Sequence, residues 1–229
     1  MKTHPPKILR SLPMGTGTAL RRQAIPRVVP AYPPRPFTKT ASRLLDLTVA
    51  IVMLAVLAVP MLLVALLVKL TSRGPALYRQ QRIGLAGRPF VIYKFRTMGL
   101  NAEVETGPIW AKRGDPRCTL LGHWLRRWCV DELPQLLNVL KGEMSLVGPR
   151  PERPYFVKEF SRQIPSYNQR HQVLPGMTGW AQVNGWRGDS SLAKRVEFDL
   201  YYVRHWTVVF NLRILLLTPV RLLVDRHGG

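Results

Sequence analysis

Twenty-two consecutive residues, from Leu47 to Val68, carry no charge. As one helix they are long enough to cross a hydrocarbon layer about 30 Å thick, so a buried soluble helix is the poorer reading. Lys39 and Arg43 precede the run, Lys69, Arg73, Arg79 and Arg82 follow it, and Asp46 is the nearby acid. A spanning helix has one basic, cytoplasmic side and one poorer side; two basic sides suggest that both ends stay in the cytoplasm. Pro60 sits near the middle, where it removes a helical hydrogen bond and favours a kink. A kinked helix that enters and leaves through one leaflet accounts for both features, with a plain spanning helix as the alternative.

The formal net charge of +21, from 34 Lys and Arg against 13 Asp and Glu, calls for an anionic partner. The candidates are nucleic acid, an anionic membrane and a phosphorylated substrate. Residues 1–42 hold eight Lys or Arg, no acid and eight prolines. That composition cannot build a core, so the segment is expected to be a disordered or extended basic arm, either drawn to an anionic leaflet or an unselected tail. It has no apolar run leading to a small-residue cleavage site and does not read as a secretory signal on its own. The 229 residues allow one ordinary domain beside the membrane element. Cys118 and Cys129 fit no metal spacing and are expected as thiols.

In so basic a chain, two adjacent carboxylates need a reason. Asp131-Glu132 precedes Leu133-Pro134-Gln135-Leu136-Leu137-Asn138-Val139-Leu140-Lys141-Gly142. The spacing predicts a helix with Asp131 as N-cap, Pro134 where its missing N–H costs little, and Gly142 as terminator. Free N–H groups at such an end would keep Asp131 ionised and attract phosphate. Arg126, Arg127 and Arg150 bracket the pair with guanidinium forks. Residues i and i+1 of a helix do not face each other, which disfavours a glycosidase-type pair and favours one nucleophile with one metal or proton partner. The bland alternative is a cap and a solvated acid.

Gly74-Pro75 and Gly87-Arg88-Pro89 are turn signals around a strand-like Phe90-Val91-Ile92-Tyr93, predicting a hairpin beside the membrane helix. Lys94 and Arg96 would share one face of it. Thr119 to Trp128 reads as a short helix with Leu120, Leu121, Trp124, Leu125 and Trp128 on its apolar face, turned to core or membrane. Another helix is expected over 155–171. From Phe198 to Pro219 the chain is apolar but interrupted by Arg204, His205 and Arg213, so an interfacial amphipathic helix is expected rather than a second span. His205 there reads as structural.

The strings Tyr93-Lys94-Phe95-Arg96-Thr97-Met98, Asp115-Pro116-Arg117, Leu125-Arg126-Arg127, Asp131 to Gly142, Met144-Ser145-Leu146-Val147-Gly148-Pro149-Arg150-Pro151 and Pro175-Gly176-Met177-Thr178-Gly179-Trp180-Ala181-Gln182-Val183-Asn184-Gly185 occur in this order. Together they resemble the bacterial sugar transferases, the monotopic phosphoglycosyl transferases, over about residues 43–220. The resemblance implies a mostly helical α+β membrane protein: a re-entrant helix over 43–71, then a catalytic domain over 72–220 with a small β-hairpin and interfacial helices, and a tail over 221–229. It implies transfer of a sugar 1-phosphate from a UDP-sugar to undecaprenyl phosphate, with Asp131 as nucleophile, Glu132 its partner, and Mg²⁺ near both. Lys94, Arg96, Arg117, Arg126, Arg150, Gln182, Asn184 and Arg187 become the substrate and phosphate contacts.

Three departures stand out. Val59 precedes Pro60 where a Ser-Pro pair is typical, Trp186 intervenes before Arg187, and Asn211 replaces a common Asp. The arrangement around Trp186 is similar to glucose-1-phosphate transferases that start exopolysaccharides, which puts glucose first and galactose next. The implied partners are UDP-sugar, undecaprenyl phosphate and lipid at the cytoplasmic face of a bacterial inner membrane, with a homodimer left open and nucleic acid not expected. The rival classes are a non-catalytic basic membrane scaffold and a nucleic-acid binder; the uncharged run and the lack of a recognition helix weigh against the latter.

Overall fold

The structure, a computed structural model, describes residues 36–100, 102–103, 107, 109, 114–188 and 190–224. The basic arm expected over 1–42 therefore lies outside the described residues, except for its last seven. Those belong to α1, Pro36–Thr71, a 36-residue helix with Pro60 inside it. Over Thr38–Thr71 this helix is apolar and long enough to cross a membrane. Its flank Ile51, Val52, Val56, Val59, Leu62, Leu63, Leu66 and Leu67 is exposed.

Parts of the other flank of α1 pack against the protein. Val49, Ala50, Met53 and Leu54 enter the main core with Leu136, Val139, Met144, Leu146 and Ile214, while Met61, Val64, Ala65 and Val68 join a second cluster with Phe95 and Leu125. Both ends are also tied by hydrogen bonds. Arg43 donates to the carbonyls of Val139 (2.6 Å) and Leu140 (2.9 Å), which close α3, Leu136–Lys141. A cation at those carbonyls meets the negative end of the helix. At the other end Arg96 donates to the carbonyls of Arg73 (2.5 Å) and Ser72 (2.8 Å).

The expected hairpin is present as β1, Leu77–Ile83, antiparallel to β2, Pro89–Phe95, with Tyr78 opposite Lys94 and Arg82 opposite Phe90. The outer edge of β2 is closed by one side chain. Asn138 donates to the Val91 carbonyl (2.7 Å) and accepts from the Tyr93 amide (3.1 Å), so a single amide replaces a strand partner. A second pair, β3 (Ser145–Val147) parallel to β4 (Gly176–Thr178), is a finding the sequence pattern did not suggest. It passes so closely that a Cβ on Gly176 would meet the Gly148 amide nitrogen at 2.0 Å.

Helix α2, Leu120–Arg127, is capped by Thr119 Oγ1, which accepts from the Gly122 amide at 2.9 Å. Its expected apolar face divides: Leu125 is buried and Leu121 packs beside it, whereas Leu120, Trp124 and Trp128 are exposed. The helix expected over 131–142 is shorter than the pattern suggested. Cys129 turns left-handed (φ 54°), Val130–Gln135 forms a 3₁₀ turn with Asp131 inside it, and α3 follows until Gly142 (φ 78°) ends it. Asp131 is consequently not an N-cap. The helix expected over 155–171 is also two pieces, α4 (Pro154–Gln163) and a 3₁₀ turn at Tyr167–Gln172, because Pro165 drives Ile164 to extended dihedrals (φ −125°, ψ 102°).

After the short α5, Trp180–Val183, the segment expected to be one interfacial helix breaks into α6 (Leu192–His205) and α7 (Val208–Val224). Thr207 makes the break by accepting from the Phe210 amide (3.1 Å). Asn211, on α7, is buried: it accepts from the Tyr202 hydroxyl (2.8 Å) and donates to Ser42 Oγ (3.4 Å), joining α6, α7 and α1. Val209, Leu216, Val220 and Leu223 leave an apolar side of α7 exposed.

Arg43→Ala would remove both bonds from α1 to the end of α3. The expected cost is about 2 kcal/mol, seen in thermal melting as a fall of ~4–8 °C, while Arg43→Lys keeps the charge and recovers part of it.

Candidate active site

The 3₁₀ turn at Val130–Gln135 delivers Asp131 and Glu132 to one wall of a cleft of about 1580 Å³. Pointing in different directions, the two carboxylates meet different neighbours. Glu132 is clamped. Lys94 Nζ, from β2, donates to its Oε1 at 2.7 Å, and Arg150 donates through Nη1 to Oε2 at 3.0 Å and through Nη2 to Oε1. Burial pushes the Glu132 carboxyl up, but Arg150 and then Lys94 outweigh it and hold the group well below the usual carboxylate range.

Asp131 is just as deep in the wall, at 6% exposure, and among the described residues its carboxylate makes no hydrogen bond or ion pair. Burial pushes it up to about 6, with Lys94 working in the opposite direction. The sequence argument that free helix amides keep it ionised does not hold, because it is inside a turn rather than at a cap. What the fold provides instead is an uncommitted carboxylate facing a cationic cleft, which is the state a nucleophile requires.

The other expected contacts divide between the cleft and the scaffold. Arg126 lines the cleft and donates through Nε to Thr97 Oγ1 (2.8 Å); its terminal nitrogens have no hydrogen bond among the described residues. Arg187 lines the cleft as well. Arg117 lines it while paired in two-pronged fashion with Asp115, at 2.8 and 2.6 Å. Gln182 is on the wall, donating to the Met177 carbonyl (3.2 Å). Arg96 borders the cleft, but its terminal nitrogens are directed to Ser72 and Arg73 at the end of α1. Asn184 turns back on the Trp180 carbonyl (2.7 Å) and is not part of the wall. His205 is exposed, stacked on Tyr201 with Nδ1 at the Tyr201 carbonyl, in keeping with a structural reading.

Behind the clamp is a buried network that sequence reasoning missed. Arg170 donates to Asp199 (2.6 Å), to the Tyr167 hydroxyl (2.8 Å) and to the Arg150 carbonyl (2.8 Å), so it fixes the backbone from which Arg150 reaches Glu132. Glu152 stands between Arg82 (3.4 Å) and Arg195 (3.5 Å). Scarcity was the available signal: each of thirteen acids among thirty-four cations is a candidate for a specific partner.

Both cysteines are free thiols, as expected, and Cys129 borders the cleft with its thiol pushed up by burial. Among the described residues no three His, Cys, Asp or Glu side chains gather as a metal cage. The donor set still fits Mg²⁺, which takes one or two carboxylates and draws its remaining ligands from phosphate and water. Asp131 would hold such an ion as the open carboxylate, and Glu132 would do so only by sharing an oxygen already held by Lys94 or Arg150.

An open carboxylate among arginines thus lies beside an apolar helix long enough to cross a membrane. The chain belongs to the bacterial sugar transferase family, whose signature it matches over residues 37–225. It is 42% identical over 207 residues to the UDP-glucose:undecaprenyl-phosphate glucose-1-phosphate transferase of Escherichia coli K12, covering 87% of this chain and 44% of that protein. A Caulobacter vibrioides protein of the same name is 45% identical, covering 85% of this chain and 74% of its own length. The UDP-N-acetylgalactosamine-undecaprenyl-phosphate N-acetylgalactosaminephosphotransferase of Aeromonas hydrophila is 42% identical, covering 86% of this chain and 46% of that protein. The chain thus spans under half the length of two of these three relatives.

A carboxyl that titrates near 6 in the fold and near 4 when unfolded holds its proton more readily in the fold. Its contribution to stability is present below about pH 4 and is lost as pH rises through 6. Asp131→Asn should therefore melt several degrees higher than the parent chain at pH 7.5 and at nearly the same temperature at pH 4. Glu132→Gln, which leaves Arg150 and Lys94 facing a neutral amide, should melt lower at pH 7.5.

Proposed function

We propose that the chain transfers a sugar 1-phosphate from a UDP-sugar to undecaprenyl phosphate, releasing UMP, as the opening step of a polysaccharide or glycoconjugate. The observation that carries this reading is the asymmetry of the acidic pair: Glu132 is clamped by two cations, while Asp131 is open to the cleft. An Asp131 oxygen attacks the β-phosphorus, the bond to the bridging oxygen breaks, and UMP departs with that electron pair. A phosphate oxygen of the lipid then attacks the same phosphorus and displaces the Asp131 carboxylate, forming the polyprenyl diphosphate sugar. Splitting the transfer this way is covalent catalysis. Arg126, Arg150 and Arg187 orient the phosphate oxygens, and Lys94 with Arg150 keeps Glu132 ionised beside them. Mg²⁺, when bound, neutralises phosphate charge.

The lipid substrate sets the geometry. Its phosphate lies at the bilayer surface, so the cleft must be held at that depth. Both ends of α1 are tied to one and the same domain, by Arg43 at the start and Arg96 at the end. An apolar helix whose two ends are both tied to a single body fits the re-entrant, monotopic arrangement better than a span. We place the cleft at the cytoplasmic face of the inner membrane, and glucose ahead of galactose as the sugar.

Purified protein in native-like lipid, given undecaprenyl phosphate, Mg²⁺ and a panel of UDP-sugars, is expected to release UMP with one or a few donors. Asp131→Asn should lower the rate by at least ~10³-fold, and a normal rate in that variant would remove Asp131 as nucleophile. In the parent enzyme, kcat/KM should rise about tenfold per pH unit toward pH 6 and level off above it, as the carboxylate of Asp131 forms. Chelation of Mg²⁺ should suppress release, with recovery on adding the ion back.

A further inference from the structure

The cleft extends beyond the phosphate-facing residues along β1. Alternation on the strand puts Tyr78, Gln80 and Arg82 on one face, and the register sets Tyr78 directly opposite Lys94, so the row starts beside the Glu132 clamp and leads away from it. At its far end is Glu152, whose side chain is 7% exposed and lines the same cleft. Gln80 and Arg82 are already joined, Arg82 Nη2 donating to Gln80 Oε1 at 2.7 Å.

Glu152 is held more loosely than the firmly paired acids Glu132 and Asp199. Glu132 and Asp199 have partners at 3.0 Å or less, in the normal range for charge-assisted bonds. The Glu152 oxygens meet Arg82 and Arg195 only at 3.4 and 3.5 Å, near the limit of hydrogen bonding. Arg82 Nε, also buried, has no hydrogen-bond partner among the described residues. A carboxylate with unused lone pairs, next to a guanidinium with an unused donor, is a pairing suited to neighbouring hydroxyls. The site is also at the right reach. Pro151 biases Arg150 toward extended backbone, so Glu152 follows the phosphate-orienting Arg150 by at most ~7 Å of chain, about the width of a hexose ring.

We propose that Glu152, with Arg82, is the sugar subsite: it accepts hydrogen bonds from the hydroxyls of a neutral hexose attached to the β-phosphate, and its charge disfavours a uronic acid at the same place. This rests on the sugar-nucleotide reading above. The residue acts on donor choice and takes no part in bond making.

Binding without turnover separates the subsite from the reaction. In an Asp131→Asn background, affinities for UDP-glucose, UDP-galactose, UDP-glucuronate and UDP are measured by titration calorimetry, with and without Glu152→Gln. The neutral hexose donor is expected to bind at least tenfold more tightly than UDP-glucuronate, and Glu152→Gln should remove most of that difference while changing UDP affinity less than twofold. Glu152→Asp keeps the charge between Arg82 and Arg195 but withdraws the carboxylate, so it should melt like its parent and still lose hexose affinity. If Glu152→Gln leaves the preference intact, or weakens UDP and UDP-hexose equally, the subsite is overturned whether or not the parent enzyme releases UMP. Failure of UMP release with hexose discrimination intact would instead count against the reaction and in favour of the subsite.

Discussion

The clamp on Glu132 is the interaction on which the site depends. It draws three separate parts of the chain together: Lys94 from β2, the 3₁₀ turn at Val130–Gln135 and Arg150 from the segment after β3. Two cations on one carboxylate would be hard to keep in place without backing, and the backing is visible. Asn138 seals the edge of β2 near Lys94, and Arg170, anchored on Asp199, holds the Arg150 carbonyl. With Glu132 committed, the adjacent Asp131 is left buried and, among the described residues, without a partner. Its raised pKa follows from that arrangement. A partner for Asp131 would stabilise the fold, but in the proposed reaction it would compete with the phosphorus centre for the same oxygen.

A second constraint comes from the apolar helix. The exposed flank of α1 and the exposed side of α7 present large aliphatic side chains that water would penalise. The buried flank of α1 reaches into two hydrophobic clusters and into the polar junction of Ser42, Asn211 and Tyr202. Anchor and domain are thus one packed unit, and the depth at which α1 sits sets the height of the cleft.

Much of this was legible in the sequence, and the physical reasons for the misses are specific. The uncharged run, the hairpin turns, the short helix starting near Thr119 and the stop at Gly142 are local signals, and each element appears where those signals fall. The helix breaks were misjudged where one residue overrules a periodic pattern: Pro165 dividing the segment after Arg153, Thr207 dividing the last helix, and Cys129 turning left-handed just before Asp131. The β3–β4 pairing joins segments thirty-one residues apart, through strands too short to show a period. Among the cations, Lys94 and Arg96 look alike in sequence. One holds Glu132 and the other holds the end of α1, a difference made by what lies opposite each.

The amino-acid sequence by itself determined the family, the anchor helix, the identity of the acidic pair and the excess of cations around it, because composition, spacing and motif order are properties of the chain alone. Only the tertiary structure decided which acid is clamped and which is open, which arginines face the cleft, and that Glu152 is held loosely between Arg82 and Arg195. Those outcomes depend on burial and on partners brought from distant positions. The energy of a charge follows its surroundings, and in this protein the surroundings exist only once the chain has packed.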